Sequence, residues 1–210
     1  MGTYTGTGAA VTIGHGLSAK PEFIITKDYG GNYLWYVYHH KGYNATDALT
    51  LDTDGASDDS NGYWNDTEPT NTVFTAGPGN STSQNTHTYI YYAWTPIEGY
   101  SAFGSYTGNG SASGPFIYTG MRPAYLMVKS IALTQPWYVF DVARNTTNPL
   151  MNFLKPDSSD SEGSASSPNY YNFCSNGFQV TNISNAMNAS SEPYIYACFA
   201  EHPFKTARAR

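Results

Sequence analysis

Charge is scarce in this sequence: Asp, Glu, Lys and Arg make up 12% of 210 residues, with a formal net charge of −6. Proteins that neutralise nucleic-acid phosphates need a basic stripe. No Lys/Arg cluster occurs before the small tail of Lys205, Arg208 and Arg210, which reads as a solvated terminus. No nucleic-acid partner is therefore expected. Nothing approaches the roughly 18 apolar residues in a row that a spanning helix needs, so no membrane insertion is expected. The N-terminus has neither the basic start nor the apolar core of a secretory signal. Cysteine is limited to Cys174 and Cys198, neither with a counterpart in the first half of the chain. Two free thiols made in a reducing compartment is the reading favoured over a bridge. No window of about twelve residues shows helical apolar spacing.

Chemistry-bearing patterns are missing as well. His15, His39, His40, His87 and His202 lack the spacing of a zinc site. Asp52, Asp54, Asp58 and Asp59 resemble a calcium loop only at a glance, because Gly55 arrives early and Tyr63 stands where the closing glutamate belongs. Asp157, Asp160 and Glu162 follow the corresponding strand later on, and both groups read as solvated loop carboxylates. No Gly-x-Ser-x-Gly elbow or phosphate-cradling loop occurs. Lys27 and Lys129 sit at matched strand ends and read as rim lysines beside Asp28 or Asp141. No catalytic residue, metal or cofactor is expected.

What the chain has is aromatic rings and a repeat. With 19 Tyr, 10 Phe and 4 Trp it is too rich in rings to be disordered. Gly2-Thr3-Tyr4-Thr5-Gly6-Thr7-Gly8 returns as Gly104-Ser105-Tyr106-Thr107-Gly108-Asn109-Gly110. Pro21 then matches Pro123, Lys27 matches Lys129, and Trp35-Tyr36-Val37-Tyr38 matches Trp137-Tyr138-Val139-Phe140. After a small slip, Phe74 meets Phe178 and Tyr89-Ile90-Tyr91 meets Tyr194-Ile195-Tyr196. Constant offset with slips in polar stretches is the signature of a tandem duplication. The expected modules are residues 1–101 and 102–210, each of roughly 100 residues, a size that can bury its own core. The short aromatic connection between them implies tight packing. Met1 stands where Phe103 stands before the second copy, which suggests a piece of a longer array, whereas Pro203 and Phe204 leave the pattern like a true end.

Short apolar runs at Phe23-Ile24-Ile25-Thr26 and Tyr125-Leu126-Met127-Val128 predict strands covered on both faces. Alternation after the Gly30-Gly31-Asn32 turn places Trp35 and Val37 on one face and Tyr36 and Tyr38 on the other. Trp35, Val37, Trp137 and Val139 are the expected core anchors. The stretches 52–65, 80–86, 144–149 and 156–170 read as polar loops.

The runs Gly104 to Ser111, Gly114-Pro115-Phe116-Ile117-Tyr118-Thr119-Gly120-Met121-Arg122-Pro123 and Tyr194 to Lys205 resemble a repeated domain of unknown function found near the C-termini of tail-fibre-like structural proteins of aquatic bacteriophages. That resemblance implies an all-β, jelly-roll or concanavalin-like β-sandwich and a virion location, and it brings no catalytic residues. The expectation is a non-enzymatic part of a tail fibre or appendage, a homo-oligomer (trimer or higher) or bound to other virion proteins, that presents polar-aromatic loops to a host-surface carbohydrate. Tyr43, Tyr63, Trp64, Tyr170 and Tyr171 are the candidate glycan-binding residues. The alternative is a subunit of a fibre or extracellular filament with its aromatics sealed between subunits. A carbohydrate-active enzyme is the weakest reading, since no carboxylate pair stands out.

Overall fold

Glycine and tyrosine alternate at the start of each half because one strand must lie under a neighbour's ring. A methyl group on Gly2 would come within 2.7 Å of the Tyr91 hydroxyl, and one on Gly104 within 2.6 Å of the Tyr196 hydroxyl. The computed structural model describes residues 1–164 and 170–201. The expectations for His202, for Pro203 and Phe204, and for the basic tail of Lys205, Arg208 and Arg210 lie outside the described residues, as does part of the 156–170 loop. The architecture is all-β in multiple antiparallel sheets, and the chain divides into two compact units, Met1–Thr95 and Pro96–Arg210.

In the first unit the strands are β1 (Gly2–Thr5), β2 (Val11–Gly14), β3 (Phe23–Asp28), β4 (Tyr36–His39), β5 (Asp47–Thr50), β6 (Asp58–Asp59), β7 (Val73–Ala76) and β8 (Thr88–Trp94). Six form one sheet in the order β1-β8-β3-β4-β5-β6, while β2 pairs with β7. Two one-turn helices, α1 (Asn61–Trp64) and α2 (Asn80–Ser83), replace turns read as loop. They are too short to leave an apolar period, and α1 announces itself only by Ser60, whose hydroxyl caps the Gly62 amide. The core joins Ile24, Tyr36, Tyr38 and Tyr91 of the large sheet to Ile13, Phe74 and Ala76 of β2 and β7.

The second unit holds β9 (Ser101–Thr107), β10 (Phe116–Tyr118), β11 (Pro123–Ser130), β12 (Tyr138–Asp141), β13 (Asn152–Phe153), β14 (Gly163–Ser164), β15 (Tyr171–Cys174), β16 (Gly177–Val180), the one-turn helix α3 (Asn185–Asn188), and β17 (Pro193–Ala200). Its sheets run β12-β11-β17-β9, β10-β16-β15 and β13-β14. Leu126, Val128, Phe140, Tyr194 and Tyr196 of the first meet Ile117, Tyr171, Phe173 and Phe178 of the second in one cluster.

The same contacts occur in both units. Tyr4 stacks on Tyr89 at 5.0 Å and 11°, and Tyr106 on Tyr194 at 5.1 Å and 14°. Tyr4 meets Phe74 edge-on at 6.2 Å, as Tyr106 meets Phe178. Tyr4 and Tyr89 donate to the carbonyls of Thr82 and Asn80 on α2, both at 2.7 Å. Tyr106 and Tyr194 donate to Met187 and Asn185 on α3 at 2.8 and 2.6 Å. A tyrosine buries its ring and still satisfies its hydroxyl on a backbone carbonyl, so two rings clamp one helical turn in each unit.

Both faces of β4 are buried, and the expected anchors other than Trp35 are core, but the principal clusters form on the opposite face. Tyr36 and Tyr38 on β4 join the principal cluster, as Tyr138 and Phe140 do on or against that of the second unit. Val37, Trp137 and Val139 are buried outside those clusters, and Trp35 is only half-buried, ahead of β4. The backbone amides of Trp35 and Trp137 are held by the carboxylates of Asp52 (3.0 Å) and Asp157 (3.3 Å). These two carboxylates therefore serve the chain's own backbone. Alternation identifies two faces of a strand and leaves open which one meets the second sheet. Phenolic hydroxyls that reach partners make the tyrosine face the one buried between sheets; Tyr38, with no exposed surface, donates to Glu68 at 2.8 Å.

Candidate functional site

Of the five loop aromatics expected to bind a ligand, two are core. Trp64 is 2% exposed and meets Tyr38 edge-on at 5.9 Å. Tyr171 has no exposed surface and meets Phe140 edge-on at 4.9 Å. Each follows a tyrosine that stays half-buried: α1 turns Trp64 inward past Tyr63, and the pleat of β15 does the same for Tyr171 past Tyr170. Neither core ring presents a face to a ligand. Tyr63 stacks on Tyr36 at 4.8 Å and donates to Asp58 at 2.5 Å. Tyr170 packs edge-on against Phe153 at 5.3 Å. Tyr43 is 47% exposed in a left-handed conformation. Tyr63 and Tyr170 are thus tied to neighbours.

The lysines and acidic loops also have internal work. Lys27 donates to the carbonyls of Asp28 (2.7 Å) and Gly31 (2.9 Å), holding the turn after β3. Lys129 is fully buried and donates to the Ser130 carbonyl at 2.9 Å, so it is no rim lysine. Asp160 pairs with Lys155 at 3.1 Å, and Glu162 pairs with Arg144. Among the described residues no three His, Cys, Asp or Glu side chains converge as metal ligands.

The second unit does contain an open cleft of about 620 Å³, lined by Glu98, Gly99, Tyr118, Gly120, Met121, Arg122, Ala200 and Glu201. It is built from the edge strand β10. Ile117 points inward opposite Phe178 and is 7% exposed, so alternation throws Phe116 and Tyr118 outward, 48% and 70% exposed. The chain then turns through Gly120 in the left-handed region, φ 74°, which a side chain would strain. The Thr119 amide fixes this turn on the Asn176 carbonyl (3.0 Å), and its hydroxyl fixes it on Met121 (2.9 Å). The tip of Tyr118 lies beside Gly120, its hydroxyl 3.7 Å from where a Cβ would stand. At the far wall the Glu201 amide donates to the Arg122 carbonyl at 3.0 Å, and the Arg122 guanidinium forms an ion pair with Glu201, Nε to Oε2 at 2.7 Å. The Ala200 amide holds the Tyr100 carbonyl at 2.8 Å, which brings the Glu98–Gly99 turn to the rim.

The first unit shows what the strand itself requires. There Ile13 faces Phe74 just as Ile117 faces Phe178, yet the outward residues beside it are Thr12 and Gly14. An outward ring at this place is not needed to form the strand. The cleft combines an exposed aromatic ring, a carboxylate–guanidinium pair and a second carboxylate, a set suited to hydroxyl-rich ligands. Sequence reasoning passed over Glu98, Phe116, Tyr118, Arg122 and Glu201. The contrast of Thr12-Ile13-Gly14 with Phe116-Ile117-Tyr118 was the available signal.

No curated protein and no solved structure matches the chain. A family model described as a domain of unknown function, DUF7483, matches residues 1–203, and the chain belongs to that family.

Proposed function

We propose that this chain is a tandem pair of β-sandwich modules forming a non-enzymatic, adhesive part of a phage tail fibre or appendage, and that it holds a host-surface glycan in the Tyr118 cleft. The observation that carries the reading is the pair of outward rings, Phe116 and Tyr118, on a strand whose counterpart β2 has Thr12 and Gly14 there. Exposed rings beside paired polar groups suit the apolar face and hydroxyl rim of a sugar. The tyrosine clamps on α2 and α3 support the duplication, since identical contacts in both halves follow from one scaffold used twice. Glycan-array binding by the full chain is expected, with a loss of roughly tenfold or more on Tyr118→Ala and little change on Tyr43→Ala. Absence of any bound glycan, or binding indifferent to Tyr118, refutes the assignment. Release of sugar fragments abolished by Glu98→Gln refutes the non-enzymatic part.

A second reading rests on β10 being an edge strand with one side unpaired in its sheet. In a fibre of trimers or higher oligomers, Phe116 and Tyr118 pack against another copy. Light scattering separates the two: an oligomer that dissociates on Phe116→Ser/Tyr118→Ser supports assembly rather than recognition.

A further inference from the structure

We infer that the Tyr118 cleft takes uncharged pyranose units and discriminates against acidic ones, an inference that rests on the glycan reading above. Tyr118 is 70% exposed at the wall of the cleft, with the tip of its ring beside the Gly120 turn, so the ring is open to stacking. It suits a flat C–H surface, which a pyranose ring offers whatever its charge. Selection then falls to the polar wall. Arg122 uses Nε on Glu201 Oε2 at 2.7 Å, which leaves its terminal nitrogens and the other Glu201 oxygen for a ligand. A hydroxyl donates to a carboxylate and accepts from a guanidinium at the same time, so neighbouring sugar hydroxyls match this pair without adding charge.

An acidic sugar fits worse for two reasons. Its carboxylate competes with Glu201 for Arg122 and strands one anion, and it meets Glu98, which makes none of the ion pairs found among the described residues. The cleft's side chains thus carry one excess negative charge. Two like charges about 6 Å apart disfavour binding by roughly threefold in bulk water and up to roughly a hundredfold near a protein surface, and salt weakens the effect.

The test uses the full chain, neutral hexasaccharides, a uronate hexasaccharide and a glucosamine hexasaccharide, at low and high salt, read by calorimetry. A neutral ligand is expected to bind, with about tenfold loss on Tyr118→Ala and a clear loss on Arg122→Lys, which keeps the charge but not the fork. Glu98→Gln is expected to raise uronate affinity relative to neutral affinity, by at least about threefold and at low salt only. Tyr118-dependent uronate binding in the unaltered protein, indifferent to Glu98→Gln, overturns this inference while keeping the glycan reading. Tyr118-dependent binding of the glucosamine probe alone also overturns it. No Tyr118-dependent binding of any probe overturns both.

Discussion

The buried tyrosine pair of the second unit should respond asymmetrically to losing one hydroxyl or the other. Tyr106 Oη lies 2.8 Å from the Met187 carbonyl and 3.0 Å from Tyr171 Oη, and both side chains are buried. A carbonyl only accepts, so the single Tyr106 proton goes to Met187 and Tyr171 donates to Tyr106. Burial pushes both phenols well above their usual range, so both protons stay in place at any ordinary pH. Tyr171→Phe removes one bond and leaves Tyr106 donating, a cost of about 0.5–1.5 kcal/mol. Tyr106→Phe leaves a carbonyl and a hydroxyl unpartnered in an apolar cluster, and at about 1–3 kcal/mol for each orphaned group the cost is roughly 2–6 kcal/mol. The double Phe variant lacks the orphaned hydroxyl, so it should be no less stable than Tyr106→Phe alone. Urea unfolding followed by amide exchange in β11 and β17 peptides reads the second unit directly. Equal single-variant costs, or a double variant that sums them, refutes the assignment of donors.

Trp64→Ala should cost about 3–5 kcal/mol by opening a cavity in the first unit, whereas Tyr63→Ala should cost less than half of that by the same denaturation assay. Gly108→Ala drives a methyl into the Ala189 carbonyl and to 2.8 Å of the Asn188 carbonyl carbon, and should destabilise by about 1–3 kcal/mol or more; Gly30→Ala, with nothing within 4 Å, is the near-neutral control. For Glu68, burial raises the carboxyl pKa, but the bonds from Lys20, Tyr38 and the Ala45 amide outweigh it and the net shift is downward. A lowered folded pKa means that its stabilisation is present above the unfolded value of about 4.3 and fades as pH falls through the folded one. The acid limb of a pH–stability profile should therefore flatten in Glu68→Gln. Burial pushes the Cys198 thiol up to about 12, so native thiol titration should detect Cys174 at most, and denatured protein both.

Some of this was legible before any coordinates. Phe23 to Thr26 and Tyr125 to Val128 form strands, as runs apolar on both faces imply, and all but Tyr125 are buried. The absence of helical periodicity fits three α-helices of one turn each and one 3-10 turn, Asn44–Thr46, among the described residues. Loop aromatics were the weak point. Tyr63-Trp64 and Tyr170-Tyr171 look alike on paper, and only the backbone direction at each pair decides which ring goes inward. The cleft was harder still, since residues 98, 118, 122 and 201 meet through two turns and a strand end rather than through spacing.

Composition, alternation and glycine spacing by themselves determined that this chain folds as antiparallel sheet with aromatic interiors, because those preferences act between near neighbours. Tertiary structure alone decided that tyrosines rather than the matched tryptophans fill the principal clusters, and that one unit displays rings where the other displays Thr12 and Gly14. Tyrosine is apolar in its ring and polar at its tip, so its place depends on whether a carbonyl or carboxylate lies within reach, and that is a property of the folded chain.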